Sequence, residues 1–310
     1  MPALPALSAP WRDRAGRVSG LKLATFLFAL APGFWLAGAY AADALGAKPI
    51  TALLHGTGEW AVRFLLLSLA VTPLRRIANF PKLILVRRML GLTVLAYALI
   101  HLMLYVVDQN FVLTKVVTEI ATRIYLTIGF VALLGLVVLG VTSTDGMIRR
   151  LGKAWPRLHK LVYTIAVLGL VHYFLQAKID VSDPVFWTGV FLLLMGHRAM
   201  QRFRWPTNPL TLLALAVAAA LVTALLEAAW YGIASGVPAS LVLSANLDIP
   251  DTIRPAWWVL AVGLCVPVLN AVRTWMDKSK ADKSRSGKGA PVKAAPAQRP
   301  VPARQVVGAR

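Results

Sequence analysis

Eight apolar runs, each long enough to cross a bilayer as a helix, alternate along the chain with short polar segments. They are expected at about Leu21 to Ala41, Thr57 to Leu74, Val86 to Val107, Arg123 to Thr142, Leu151 to Phe174, Pro184 to Met200, Pro209 to Gly236 and Pro255 to Arg273. The period-two alternation of a membrane barrel is missing, so the pattern predicts an all-α integral membrane protein. The first run is expected to stay as a span. Ala39-Tyr40-Ala41 resembles a signal cleavage site, but the apolar stretch before it exceeds the usual length of about 7 to 15 residues.

The polar segments are strongly asymmetric. Of 33 Lys and Arg, 27 fall before the first run or in alternate connections and the tail, including Arg75-Arg76, Arg87-Arg88, Arg149-Arg150 and Arg198. This bias predicts both termini on the cytoplasmic side and accounts for the net charge of +20 without a nucleic-acid partner. Residues 1–20 and 277–310, rich in Pro, Ala and basic residues, are expected to be disordered. The single cysteine, Cys265, lies inside an apolar run, which excludes an internal disulfide, a thiolate zinc site or an iron–sulfur cluster.

That leaves imidazole as the main metal-binding chemistry. His101 lies in the third run, and His159 and His172 in the fifth. An ionisable ring inside hydrocarbon must be hydrogen-bonded and neutral, or bind a metal. Thirteen residues of straight helix put about 20 Å between His159 and His172, so the two cannot serve one iron. Counted from Arg87 and Arg157, His101 and His172 fall at nearly the same depth and form a natural axial pair for a b-type haem; the alternative is a set of hydrogen-bonded core histidines. His197 is expected to be a solvated residue at a helix end, and His55 to lie in the loop before the second run. Arg63 is expected to snorkel or to pair with a buried anion such as a haem propionate. Glu227, in the seventh run, is expected to be hydrated. The string Gly56-Thr57-Gly58-Glu59 opens a membrane helix and is no dinucleotide fingerprint.

The ordered series Val71-Thr72-Pro73-Leu74, Arg87-Arg88, Leu90-Gly91-Leu92, His101, Arg123 with Tyr125 and Thr127, Thr142-Ser143-Thr144, Leu151-Gly152-Lys153, Trp155, Leu158-His159, Val162-Tyr163 and His172-Tyr173 resembles the MsrQ (formerly YedZ) family of the ferric-reductase-like transmembrane superfamily. The resemblance spans residues 21–205; Ile124 departs from it, where the family has proline. It implies a six-span haem-binding core, with residues 206–276 an additional helical pair. It further implies a bacterial inner-membrane, electron-transfer subunit that is not itself catalytic. Electrons would come from quinol or a flavin reductase and pass to a periplasmic molybdopterin-containing subunit that repairs methionine sulfoxide. By the same resemblance His101 and His172 ligate haem b, and His159 is a candidate ligand of a second haem. The family is also described as binding FMN, although the sequence carries no flavin motif. The rival readings are a transmembrane ferric reductase or superoxide-generating oxidase, and a non-redox transporter with structural histidines.

Overall fold

The computed structural model describes residues 9–12, 15–178, 180–248 and 253–287. Among these there is no β-strand, only a bridge between Arg12 and Val18. The chain divides into two units, Met1–Asn270 and Ala271–Arg310. The helices are α1 (Gly20–Ala41), α2 (Pro49–Ile77), α3 (Arg87–Asp108), α4 (Leu113–Thr122), α5 (Ile124–Val141), α6 (Asp145–Leu151), α7 (Trp155–Leu158), α8 (Leu161–Ala177), α9 (Ser182–Arg202), α10 (Pro209–Ser235), α11 (Ala239–Ala245) and α12 (Pro255–Gly287). Every predicted run is helical. Residues 1–20, expected to be disordered, fall partly, and the tail beyond residue 287 wholly, outside the described residues; α12 itself continues past Met276 to Gly287.

Helix ends follow local chemistry. The Asn208 side chain accepts the Thr211 N–H ahead of Pro209 at the first helical position of α10, and Gly236 closes that helix in the left-handed conformation. Four helical stretches are long and apolar enough to cross a membrane: α1, Pro81–Asp108, α5 and α10; a fifth is the bent pair Asp145–Leu158 and Leu161–Ala177. The protein is therefore a multi-pass membrane protein. Helices α2 and α9 are as long, but they carry charged residues inside their apolar runs.

In hydrocarbon the helices gain little from apolar burial against each other, so close packing and hydrogen bonds hold them together. The main core joins Phe64, Leu65 and Leu69 of α2 to Leu90 and Val94 of α3, Ala132 and Leu139 of α5, Ile165 and Leu170 of α8 and Phe191 of α9. Helix α10 packs on the end of this core, where Leu226, Trp230 and Tyr231 cover Phe174, Val181 and Val185. Gly189 of α9 makes that approach possible: a Cβ there would meet Val259 and Thr223 at 2.4 and 2.5 Å.

Pro32 interrupts the hydrogen-bond ladder of α1, and a tyrosine from α3 repairs it. The Tyr97 hydroxyl accepts from the Gly33 N–H at 2.8 Å and donates to the Ala29 carbonyl at 2.9 Å. Tyr97→Phe strands both backbone groups, and we expect it to cost about 1–3 kcal/mol in chemical denaturation of the detergent-purified protein. A loss below about 0.5 kcal/mol would show that α1 closes its own ladder.

Two sequence expectations are corrected here. The fifth run is not one straight helix: α7 and α8 are separate, with His159 and Lys160 between them, and the segment bends by 54°. Pro156 sits in the first turn of α7, and Gly152 takes a positive φ of 46° before it, so the chain is steered into the membrane by a corner. Glu227 is not hydrated. It is fully buried and pairs with Arg254 at 2.7 Å, while Asn246 donates to its other oxygen at 3.3 Å.

Candidate functional site

His101 stands on α3 and His172 on α8, each within two turns of its helix end. The structure brings them together, with ring centres 6.2 Å apart and planes crossing at 84°. The Nδ1 of His101 is 2.8 Å from the Leu54 carbonyl oxygen of α2, and the Nδ1 of His172 is 2.7 Å from the Tyr125 carbonyl oxygen of α5. A carbonyl oxygen can only accept, so in both rings Nδ1 carries the proton and Nε2 keeps its lone pair. This is the tautomer of a metal-ligating histidine, with the outer hydrogen bond fixing the ring.

The two halves repeat one device. Each histidine lies 47 residues after the carbonyl it binds. One turn after that carbonyl stands a glycine: Gly58 follows Leu54, and Gly129 follows Tyr125. A Cβ on Gly58 would come within 2.9 Å of His101 Nδ1, and one on Gly129 within 2.8 Å of His172 Nδ1. The missing side chains are what let each ring reach the backbone of its neighbouring helix. Gly129→Ala therefore forces the ring out, and we expect a stability loss of about 1–3 kcal/mol with release of the Tyr125 hydrogen bond. Unchanged denaturation and an unchanged His172 imidazole NMR signal would contradict this.

Both rings line a cavity of about 850 Å³ between α2, α3, α4, α5 and α8. That is toward the upper end of the range for cofactor sites. Leu65, Val94, Leu133, Leu136 and Ile165 line its apolar side, while Glu59, Asp108, Glu119, Arg123 and Asp183 supply polar groups near the helix ends. His55 lines it as well, because α2 begins at Pro49 and not at Thr57; the expected loop position is corrected. His55, Glu59 and Arg63 recur every four residues along α2, a polar stripe on one helix face. Arg63 pairs with Glu59 at 2.8 Å, lies 3.9 Å from Asp183, and covers the Trp60 and Trp187 rings. In the turn between α8 and α9, the Ser182 backbone N–H holds the Asp180 carboxyl below the usual carboxylate range, and Arg254 adds to this.

His159 lies apart from this pair. Its ring stacks on Trp155 with centres 4.0 Å apart, and its Nε2 is 3.2 Å from the Thr142 hydroxyl. That hydroxyl donates to the Val138 carbonyl at 2.7 Å, so it accepts the Nε2 proton. Trp155 in turn donates to the Thr142 carbonyl at 2.9 Å. His197 is buried, not solvated, and its Nδ1 faces the Gln201 amide at 3.3 Å. Among the described residues no group of three or more His, Cys, Asp or Glu is arranged to hold a bare metal ion. Two imidazoles are what a planar metal macrocycle needs, since it supplies the remaining nitrogens itself.

A family profile described as ferric reductase like transmembrane component matches residues 57–170, which contain both glycines, His101 and the His159 corner. A protein of Xanthomonas campestris pv. campestris (strain B100) called "Protein-methionine-sulfoxide reductase heme-binding subunit MsrQ" is 44% identical over 170 residues, covering 54% of this chain and 78% of the relative. The chain belongs to the MsrQ family. A MsrQ of Rhodospirillum rubrum, under the same name, is 43% identical over 195 residues, 62% of this chain and 91% of its own length. One from Azospira oryzae is 40% identical over 199 residues, 62% of this chain and 85% of its own. No solved structure matches. The MsrQ relatives leave more than a third of this chain unmatched, and the helices after α9 lie beyond the residues that the family profile matches.

Proposed function

We propose that this chain is the membrane b-type cytochrome subunit of a protein-methionine-sulfoxide reductase, with His101 and His172 as the axial ligands of one haem. The observation that carries this reading is the facing pair of imidazoles, each with Nδ1–H given to a backbone carbonyl and Nε2 left to bind. Haem, when bound, supplies one-electron redox chemistry, and the protein sets its ligands, orientation and surroundings. Leu54 and Tyr125 would orient the two ligands, Gly58 and Gly129 would give them room, and Leu65, Val94, Leu133 and Ile165 would keep water from the macrocycle face. The names of the MsrQ relatives support both the cofactor and the assembly with a methionine-sulfoxide reductase.

The finer reading follows the charge pattern. The chain sits in the bacterial inner membrane with both termini in the cytoplasm, a reading supported by the 27 of 33 Lys and Arg that fall before the first span, in alternate connections and in the tail. Electrons enter from quinol or a flavin reductase and leave to a periplasmic, molybdopterin-containing, MsrP-like catalytic subunit, which reverses methionine oxidation in envelope proteins. Residues 21–205 form the six-span core and 206–276 the additional pair. The contact of His159 Nε2 with Thr142 at the corner between α7 and α8 favours one haem over two. The fold offers no separate case for FMN.

A dithionite-reduced minus oxidised spectrum of the purified protein, with extracted haem quantified, tests the proposal. We expect a b-type spectrum with one haem per chain, retained in His159→Ala and in His197→Ala. A colourless protein, after expression with ample haem, would overturn the reading; two haems, one lost with His159→Ala, would overturn the single-site assignment.

A further inference from the structure

Helix α4 has two faces with different tasks. Lys115, Glu119 and Ile120 line the histidine cavity, and Val116 is buried beneath them. Leu113 and Val117, 62% and 65% exposed, adjoin Ile120 on the apolar side of the helix, and Phe111 and Ile124, at 65% and 72%, extend the same apolar strip at either end. This is not the face of a water-exposed loop.

The covalent connections fix where that face lies. Helix α4 joins the last residue of α3 to the first of α5 through connections of a few residues, and both of those helices are apolar enough to span the membrane. A ten-residue helix tied at both ends to the same ends of two spans must lie at the membrane boundary. The strip also runs into the lipid flank. A groove of about 430 Å³ opens from the C-terminal end of α4 between Ile124, Ile128 and Val131 of α5 and Leu168 of α8.

We propose that α4 is an interfacial helix whose exposed Leu113–Val117 strip is embedded in the outer edge of the bilayer while Lys115, Glu119 and Ile120 close the histidine cavity. The occupant of the apolar strip is lipid, with an acyl chain in the adjoining groove. The lid is latched from below: the Tyr105 hydroxyl donates to Glu119, Arg123 pairs with Glu119 at 3.0 Å and donates to Tyr125 at 3.1 Å, and Thr127 donates to the Ile120 carbonyl. The lid's resting position therefore follows the membrane surface as well as the protein. A soluble partner must then reach the cavity beside α4 and not across it.

The proposal stands on the cavity and the helix, and it can be tested without haem. In the full chain, with Cys265→Ser to remove the exposed native thiol, Val117→Cys is labelled with a nitroxide in phospholipid nanodiscs, and Asp43→Cys in the exposed loop after α1 serves as the aqueous reference. Power saturation with oxygen and with a nickel chelate then gives the label depth. We expect the label at 117 about 5–10 Å below the headgroup boundary, with oxygen favoured over nickel, and the label at 43 in water. Equal nickel access at both positions would overturn the proposal, as would contact with a second copy of the chain, read as dipolar broadening that disappears on dilution with unlabelled protein. Glu119→Gln in the labelled chain should sharpen the spectrum of the 117 label by freeing the latch; an unchanged lineshape would show that the lid is held by other contacts.

Discussion

His101→Ala and His172→Ala each yield a protein without low-spin haem, whereas the rest of the helical core remains folded. Loss of an outer hydrogen-bond partner of a metal ligand typically costs about 10- to 100-fold in affinity, and loss of the ligand itself costs more. We therefore expect the haem-to-protein ratio of purified material to fall by well over tenfold in each mutant. The geometry makes the two substitutions equivalent, because each ring is held by the same kind of backbone contact. Pyridine-haemochrome quantification against protein mass is the decisive measurement. Full retention of haem by either mutant would remove that residue from the ligand set, and His55, which lines the same cavity, would be the next candidate.

Arg254→Leu destabilises the protein much more than the double substitution Arg254→Leu with Glu227→Leu. The Glu227 carboxylate has no solvent exposure, and the Arg254 guanidinium, 23% exposed and 2.7 Å away, is its counter-charge. Breaking a buried pair by removing one partner costs about 3–5 kcal/mol, since the remaining charge is stranded in a medium that cannot solvate it. Replacing both by apolar groups is often close to neutral. For a chain of this size the single mutant should lose roughly 10 °C in thermal midpoint, and the double mutant should regain most of it. A single-mutant loss no larger than that of the double mutant would mean that Asn246 alone satisfies the carboxylate.

The helical runs were legible because lipid admits few alternatives to a long apolar helix. That His101 and His172 would meet was legible for a simpler reason: basic residues mark one membrane boundary, and counting inward from Arg87 and Arg157 gives depth. What the sequence hid were contacts made across helices. Glu227 and Arg254 are separated by a whole helix turn-and-return, so nothing local announces that they meet. The start of α2 was set too late because His55 looks like a loop residue in a hydropathy count; its four-residue spacing with Glu59 and Arg63 is the signal of a helix that turns a polar face to a cavity. Gly56 and Gly58, which carry no dinucleotide fingerprint in the sequence, are glycines for a steric reason: they admit Leu36 and the His101 ring. His159 was placed on a continuous helix, and the corner formed by Gly152 and Pro156 shows why it stands apart.

The repeated arrangement of carbonyl, glycine and histidine makes the two halves of the site alike in kind. Each hairpin, α2 with α3 and α5 with α8, presents one accepting carbonyl, one bare stretch of backbone and one imidazole, at the same separation of 47 residues. Because each ring is fixed by its own hairpin, a substitution that frees one ring leaves the other ring's backbone hydrogen bond in place.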